Sequence, residues 1–181
     1  YLHVRAECAG STFGNWATIS FTTNCASVTS FVQNFDTVTT PAFPNCWAKV
    51  GAGGTTNTQV GSANSAPNTL YFACFATTSL AVVSMQQVSN LGAGTNRIKF
   101  DMRANFTVGG VVEFGYLTDP TDATTFVSLT TFTASALTYS TYQYSPPAGS
   151  YSDYPAFRHT GSPGNSVLID NVVWEANPAC A

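Results

Sequence analysis

Apolar and polar residues alternate in short runs along most of the chain, the period-2 signature of strands with one buried face. The clearest runs are Thr69 to Phe75, Leu80 to Val88, Asn96 to Arg103, Val111 to Leu117, Thr125 to Thr133, Thr141 to Tyr144, Ala156 to Thr160 and Val167 to Trp174. Turn-forming stretches stand between them: Leu91 to Gly94, Val108 to Gly110, Asp119 to Asp122, Pro146 to Gly149 and Gly161 to Gly164. They supply positive or preset φ and short side chains that bond their own backbone. No segment sustains a helical period. The pattern predicts an all-β, antiparallel sandwich of about eight to ten strands.

The upstream pattern is weaker. Tyr1 to Ala6 and Trp16 to Thr23 alternate on either side of a loop at Gly10 to Asn15, which predicts a β-hairpin. A two-stranded hairpin alone is marginal in water, so residues 1–24 are expected to be the severed edge of a neighbouring module, with a second domain over 25–181. Ser30 to Phe35 reads as the first strand of that domain, and Pro41 to Pro44 interrupts it. The glycine-rich, aromatic-free segment Gly51 to Asn68 is expected to be a long loop or a pair of weak edge strands.

Composition changes this picture in three ways. Charged residues make up 8% of the 181 residues, far below the roughly 25% of ordinary soluble domains, so Thr, Ser, Asn and Gly must cover the surface. The net charge of −3 and only six Lys and Arg argue against nucleic acid or an anionic membrane as a partner. No apolar stretch is long enough to insert across a membrane, and no signal peptide stands at Tyr1, so the chain is expected to be a piece of a longer protein. The five cysteines, Cys8, Cys25, Cys46, Cys74 and Cys180, are spread singly, which favours disulfides over zinc and an oxidising, extracytoplasmic location. Five choices of the odd cysteine and three pairings of the rest leave fifteen connectivities open.

A family resemblance is carried by Asn34-Phe-Asp36, Phe43 to Trp47, Ser65 to Tyr71, Arg97 to Phe100, Val112 to Pro120 and Leu168 to Val172. In this order they resemble MAM-like jelly-roll domains, above all those of large secreted Bacteroidetes proteins. Tyr1 to Cys8, Trp16 and Phe21 to Thr23 resemble the last two strands of a fibronectin type III module. The resemblance implies an antiparallel jelly-roll β-sandwich with an N-terminal hairpin from a fibronectin type III-like neighbour. It also implies type IX secretion, a secreted or bacterial cell-surface location, and flanking modules of the same chain as partners.

In such domains the first and last strands are neighbours, and an acid on each can share a structural calcium ion. The matching positions are Asp36 and Asp170. Two carboxylates forced together repel, and a hard cation relieves this. The alternative has Asp36 capping the turn before Pro41 while Asp170 accepts backbone N–H bonds. With terminal strands adjacent, Cys25 and Cys180 would close the domain and leave Cys46 for Cys74, contributing on the order of 4 to 5 kcal/mol in the chain-entropy account.

No catalytic motif surrounds His3 or His159, and Asp119 and Asp122 read as turn residues. The tyrosines from Tyr139 to Tyr154 are too many to bury together. Tyr142 and Tyr144 are expected in the core, whereas Tyr151 and Tyr154 are candidates for contact with a sugar ring or protein partner. The expectation is a non-enzymatic adhesion or recognition module that binds glycans or cell-surface proteins. Its alternative is a carbohydrate-binding module accessory to a secreted polysaccharide-degrading enzyme or protease.

Overall fold

The computed structural model describes every residue except 1, 9, 11, 20–24, 79, 180 and 181. Four short strands come first: β1 (Leu2–Val4), β2 (Glu7–Cys8), β3 (Thr12–Phe13) and β4 (Ala17–Ile19). β1 pairs antiparallel with β4 and, inside them, β2 pairs with β3, so the expected hairpin loop carries a second rung of its own. The Arg5 guanidinium lies 3.7 Å from the Phe13 ring centroid and 4.6 Å from that of Trp16, a cation–π contact that organises two exposed aromatics. Residues 20–23 of the expected second strand lie outside the described residues.

Eleven strands follow: β5 (Phe31–Gln33), β6 (Ala48–Val50), β7 (Thr55–Val60), β8 (Asn68–Ala73), β9 (Val82–Ser84), β10 (Asn96–Ala104), β11 (Val111–Leu117), β12 (Phe126–Thr133), β13 (Ser140–Tyr144), β14 (Tyr154–His159) and β15 (Val167–Ala176). They form two antiparallel sheets that pack as a jelly-roll sandwich. One has the order β13-β10-β15-β8-β7, with β5 also on β15; the other has the order β12-β11-β14-β9-β6. The domain's first and last strands are neighbours, as expected, with Phe31 opposite Trp174.

Alternation explains which residues meet between the sheets. On β10, Ile98, Phe100, Met102 and Ala104 point inward and are fully buried, while Arg97, Lys99, Asp101 and Arg103 point out. Phe100 is the hub, with ring centroids 4.8 Å from Phe157, 5.0 Å from Phe132 and 5.9 Å from Tyr142. Burial of each such ring stabilises by about 1.5–3 kcal/mol. Tyr142 and Tyr144 lean into this core, as their spacing predicts. On β15 the inward set changes phase from Val167 and Ile169 to Val172 and Trp174. The extra residue is absorbed at Asp170 and Asn171, where Asn171 takes a φ of 48° and β15 changes its partner from β8 to β5.

Of the loop or weak edge strands expected over Gly51 to Asn68 the structure has one edge strand, β7, whereas β6 was not foreseen. β7 lies in the glycine-rich segment, where Thr56 and Thr58 fill the buried positions, and the Thr58 hydroxyl donates to the Ala42 carbonyl at 2.5 Å. Threonine suits a pleated surface but gives no apolar period to read. β6 is three residues held by β9.

The expected cysteine pairings are both overturned. Cys25 is bonded to Cys46, which excludes Cys25 with Cys180 and Cys46 with Cys74. The reason lies in the path before β5. Val28 bridges Val88, its N–H donates to the Gln87 carbonyl, and Gln86 Nε2 donates to the Ala26 carbonyl. Residues 25–28 therefore run beside the chain that continues β9, next to the start of β6. Cys74 is buried just past β8, with its Sγ 3.0 Å from the Ala76 carbonyl, and Cys180 lies outside the described residues. Non-reducing peptide mapping is expected to recover Cys25 linked to Cys46. Replacing both by Ser is expected to lower stability to chemical denaturation by about 3 kcal/mol, the chain-entropy contribution of a loop of this size.

Candidate functional site

The two candidate metal acids lie near one junction, where β15 passes from β8 to β5. Asp170 is fully buried. Its Oδ2 accepts the N–H groups of Asn64 at 2.7 Å and Ser65 at 2.8 Å. Its Oδ1 accepts the Asn171 N–H at 2.7 Å and the Ser65 hydroxyl at 3.2 Å. Asp36 holds the far end of the same loop: its Oδ1 accepts the Asn68 N–H at 3.3 Å and its Oδ2 the Asn34 amide at 2.7 Å. Asn68 in turn donates to the carbonyls of Phe35 and Val38. Burial pushes the Asp170 carboxyl up while its four donors pull the other way.

An acid that the sequence did not single out completes the junction. Asp101 is the cross-strand partner of Asp170, and Asn64 bridges the two, its N–H on Asp170 and its side-chain amide on Asp101 Oδ2 at 2.7 Å. Asn171 and Thr141 also donate to Asp101. Burial alone would raise the Asp101 carboxyl, but these donors and Lys99 outweigh it and hold it below the ordinary range. Three of the four groups bonded to Asp170 are backbone N–H donors, which cannot ligate a cation, and only the Ser65 hydroxyl oxygen has a lone pair to offer one. As arranged, therefore, the surroundings of Asp170 fit a carboxylate bound by protein and do not fit calcium. Among the described residues no group of three or more His, Cys, Asp or Glu is placed to hold a metal ion.

The candidate tyrosines part company. Tyr151 is half-buried, packed on the main core and tilted against Tyr116 at 5.4 Å between centroids. Tyr154 points to the outer face of the five-stranded sheet, where it packs on a second apolar cluster of Val50, Val82, Leu117, Phe126 and Ala156.

That outer face has the shape of a ligand site. The β11–β12 connection, residues 118–125, lies over it and divides it into two clefts that share Thr121. One, of about 360 Å³, is walled by Gly51 to Gly53, Thr77, Thr78 and Thr124, with Val82 and Arg158 on its floor. The other, of about 330 Å³, lies between Tyr154, Ser84 and the Cys25–Cys46 disulfide. The dividing turn is stiff because Asp119 Oδ1 accepts the N–H and hydroxyl of Thr121, and Asp122 Oδ1 those of Thr124. This is the turn role expected of both acids, and the Thr121 hydroxyl holds Asp119 below its ordinary range.

Arg158 is fixed in the floor, 2.6 Å from Glu113 Oε2 and 4.3 Å from the Phe126 ring centroid. Gly115 allows this: a Cβ there would sit 1.9 Å from the Val127 carbonyl oxygen, so only glycine lets β12 cross so closely. Sequence reasoning missed Arg158 and Glu113, whose pairing depends on strand register. The one available signal was a charge alternating with Phe157 and with Val112 and Phe114.

No protein-family model and no curated protein sequence matches the chain, and the resemblances found are of shape. The K1 cleaved adhesin domain of Lys-gingipain from Porphyromonas gingivalis superposes with a TM-score of 0.64 at 18% identity, over 83% of this chain and 99% of that domain. The K2 adhesin domain of Lys-gingipain gives 0.64 at 15% identity, over 82% and 98%. The CBM22-1 xylan-binding domain of Paenibacillus barcinonensis Xyn10C gives 0.56 at 11% identity, over 86% and 100%. At these identities the likeness establishes the β-sandwich fold.

Neither described histidine is placed as a catalytic base. His3 is exposed in the β1–β4 hairpin, 2.9 Å from the Thr18 hydroxyl. His159 is fully buried, with Nδ1 accepting the Gly161 N–H at 3.0 Å and Nε2 lying 2.9 Å from the Asn165 carbonyl. This assigns the neutral tautomer with the proton on Nε2. Burial pushes its pKa below the ordinary 6.5, and the Asn165 carbonyl opposes this only in part. The unfolded chain therefore takes up the proton first, so stability is held above about pH 6.5 and lost as pH falls below it, at no more than about 1.4 kcal/mol per pH unit. Melting temperatures measured from pH 7 to pH 5 are expected to fall, with a shallower slope in His159→Gln.

Proposed function

We propose that this chain is a non-catalytic recognition module of a secreted or cell-surface protein, and that its ligand lies along the outer face of the five-stranded sheet. The observation that carries this reading is the divided trough on that face, walled by threonine hydroxyls and small apolar side chains, with Asp122 as its one described acid, already bonded to Thr124. Its one described cation, Arg158, is already paired with Glu113. Such a lining suits an uncharged polyhydroxyl chain or a polar protein loop, and nothing in it activates a nucleophile. The adhesin domains and the xylan-binding domain of similar shape support the same reading, as adhesion first and carbohydrate binding as the alternative. A MAM-like domain following a fibronectin type III-like module, in a protein exported by type IX secretion, is the wider context we propose. The β1–β4 piece supports it by pairing only within itself among the described strands.

Glycan arrays and cell-attachment assays on the intact chain test the site through Thr121, which borders both clefts. Thr121→Arg is expected to weaken whichever binding is found by at least about tenfold, or about 1.4 kcal/mol. Unchanged binding in that variant, or no binding to any glycan or cell surface, contradicts the proposal. Calcium at Asp36 and Asp170 has its own readout. An ion bound there would make chelation lower the melting temperature, whereas the donor set at Asp170 leads us to expect the same temperature with calcium and with chelator.

A further inference from the structure

At one end of the sandwich, three connections meet: residues 74–78 after β8, residues 105–110 between β10 and β11, and residues 160–166 before β15. None contains Asp, Glu, Lys or Arg. Two phenyl rings stand there in water, Phe75 and Phe106, each 81% exposed. Between them is a cleft of about 220 Å³ whose remaining walls are Tyr71, Thr107, Gly164, Asn165 and Ser166. The site is built. A Cβ at Gly164 would lie 3.0 Å from both the Cys74 carbonyl oxygen and Phe75 Cδ1, so the glycine lets the Phe75 ring lie against the backbone. On the other side, the Asn105 N–H donates to the Ser166 carbonyl and Asn165 Nδ2 to the Val108 carbonyl, tying the Phe106 turn to the same wall.

The polar groups select the occupant. Among the described residues, no protein group hydrogen-bonds the hydroxyls of Tyr71, Thr107 and Ser166 or the amide oxygen of Asn165. Ser166 is only 9% exposed and lines the cleft. Flat apolar faces flanked by unused hydroxyl and amide groups, with no charge nearby, match a pyranose ring, which offers C–H faces and hydroxyl edges. A purely apolar occupant would use the phenyl rings but strand those polar groups.

We propose that Phe75 and Phe106 form a second ligand site, for one uncharged sugar ring of a glycan, separate from the trough on the outer sheet face. Residues 75–78 connect the two sites, with Phe75 in this cleft and Thr77 and Thr78, together with Leu80, in the larger outer-face cleft. A neutral oligosaccharide bound at either site is therefore distinguishable by which amides respond.

The test is a titration of the whole ¹⁵N-labelled chain with neutral hexasaccharides of xylose, glucose and mannose, each to about 10 mM, enough to reveal millimolar affinity. With at least one sugar, amides at Phe75, Phe106, Thr107, Asn165 and Ser166 are expected to shift. Phe75→Ala with Phe106→Ala is expected to weaken that response by about tenfold or more, while Thr121→Arg retains it. Both rings are exposed, so the melting temperature of the double variant should match that of the parent chain. Shifts confined to the outer sheet face, no shift with any sugar, or an equal response in the double variant overturns the proposal. So does concentration-dependent self-association that the double variant abolishes while sugar binding is absent.

Discussion

A carboxylate buried between strands has to be bonded on every side, and Asp170 imposes that requirement on the whole sandwich. Its cost in a dry interior is offset only because loop residues Asn64 and Ser65 turn their N–H groups toward it and Asn171 adopts a left-handed backbone to add a third. Three consequences follow from one side chain. The loop before β8 is drawn across the outer face of the six-stranded sheet, β15 shifts its inward phase, and its second half becomes free to pair with β5. The first and last strands of the domain are joined at that point.

With the six-stranded sheet closed in this way, the five-stranded sheet is left with an outer face that loops border and that no strand covers among the described residues. Its floor is kept shallow by Gly115 and Ala156, and Arg158, the one cation among its described lining residues, is neutralised by Glu113. The low charge of the sequence and the hydroxyl-rich walls of the clefts are thus one property seen at two scales. A surface made of threonine, serine and asparagine offers hydrogen bonds without the desolvation penalty of ions, and suits ligands that are themselves uncharged.

Much of the fold was legible because strand alternation is a local property. Nearly every expected run from Thr69 to Trp174 became a strand, and the adjacency of the terminal strands followed from the family resemblance. β7 was legible only as one of two alternatives because its buried positions are threonines, and β6 escaped because three residues are too few to show a period. The cysteine pairing escaped for a different reason: it depends on where residues 25–28 cross between sheets, and the bridge of Val28 to Val88 has no local signature. The site was less legible than the fold. Asp170 was identified as a special acid but its cross-strand partner Asp101 was not, since register decides which residues face each other. Tyr154 was singled out as a candidate contact residue and packs on the outer-face cluster, whereas Arg158, Glu113 and the exposed pair Phe75 and Phe106 come together only in three dimensions.

Native-state hydrogen exchange tests this dependence on Asp170 most directly. If the buried carboxylate closes the sandwich, the amides of Asn64, Ser65 and Asn171 exchange only through global unfolding, as slowly as those of β10 and β15. Exchange of these three amides orders of magnitude faster than the β10 amides, with the core still protected, would show that the junction opens on its own and that the sheets are held together without it.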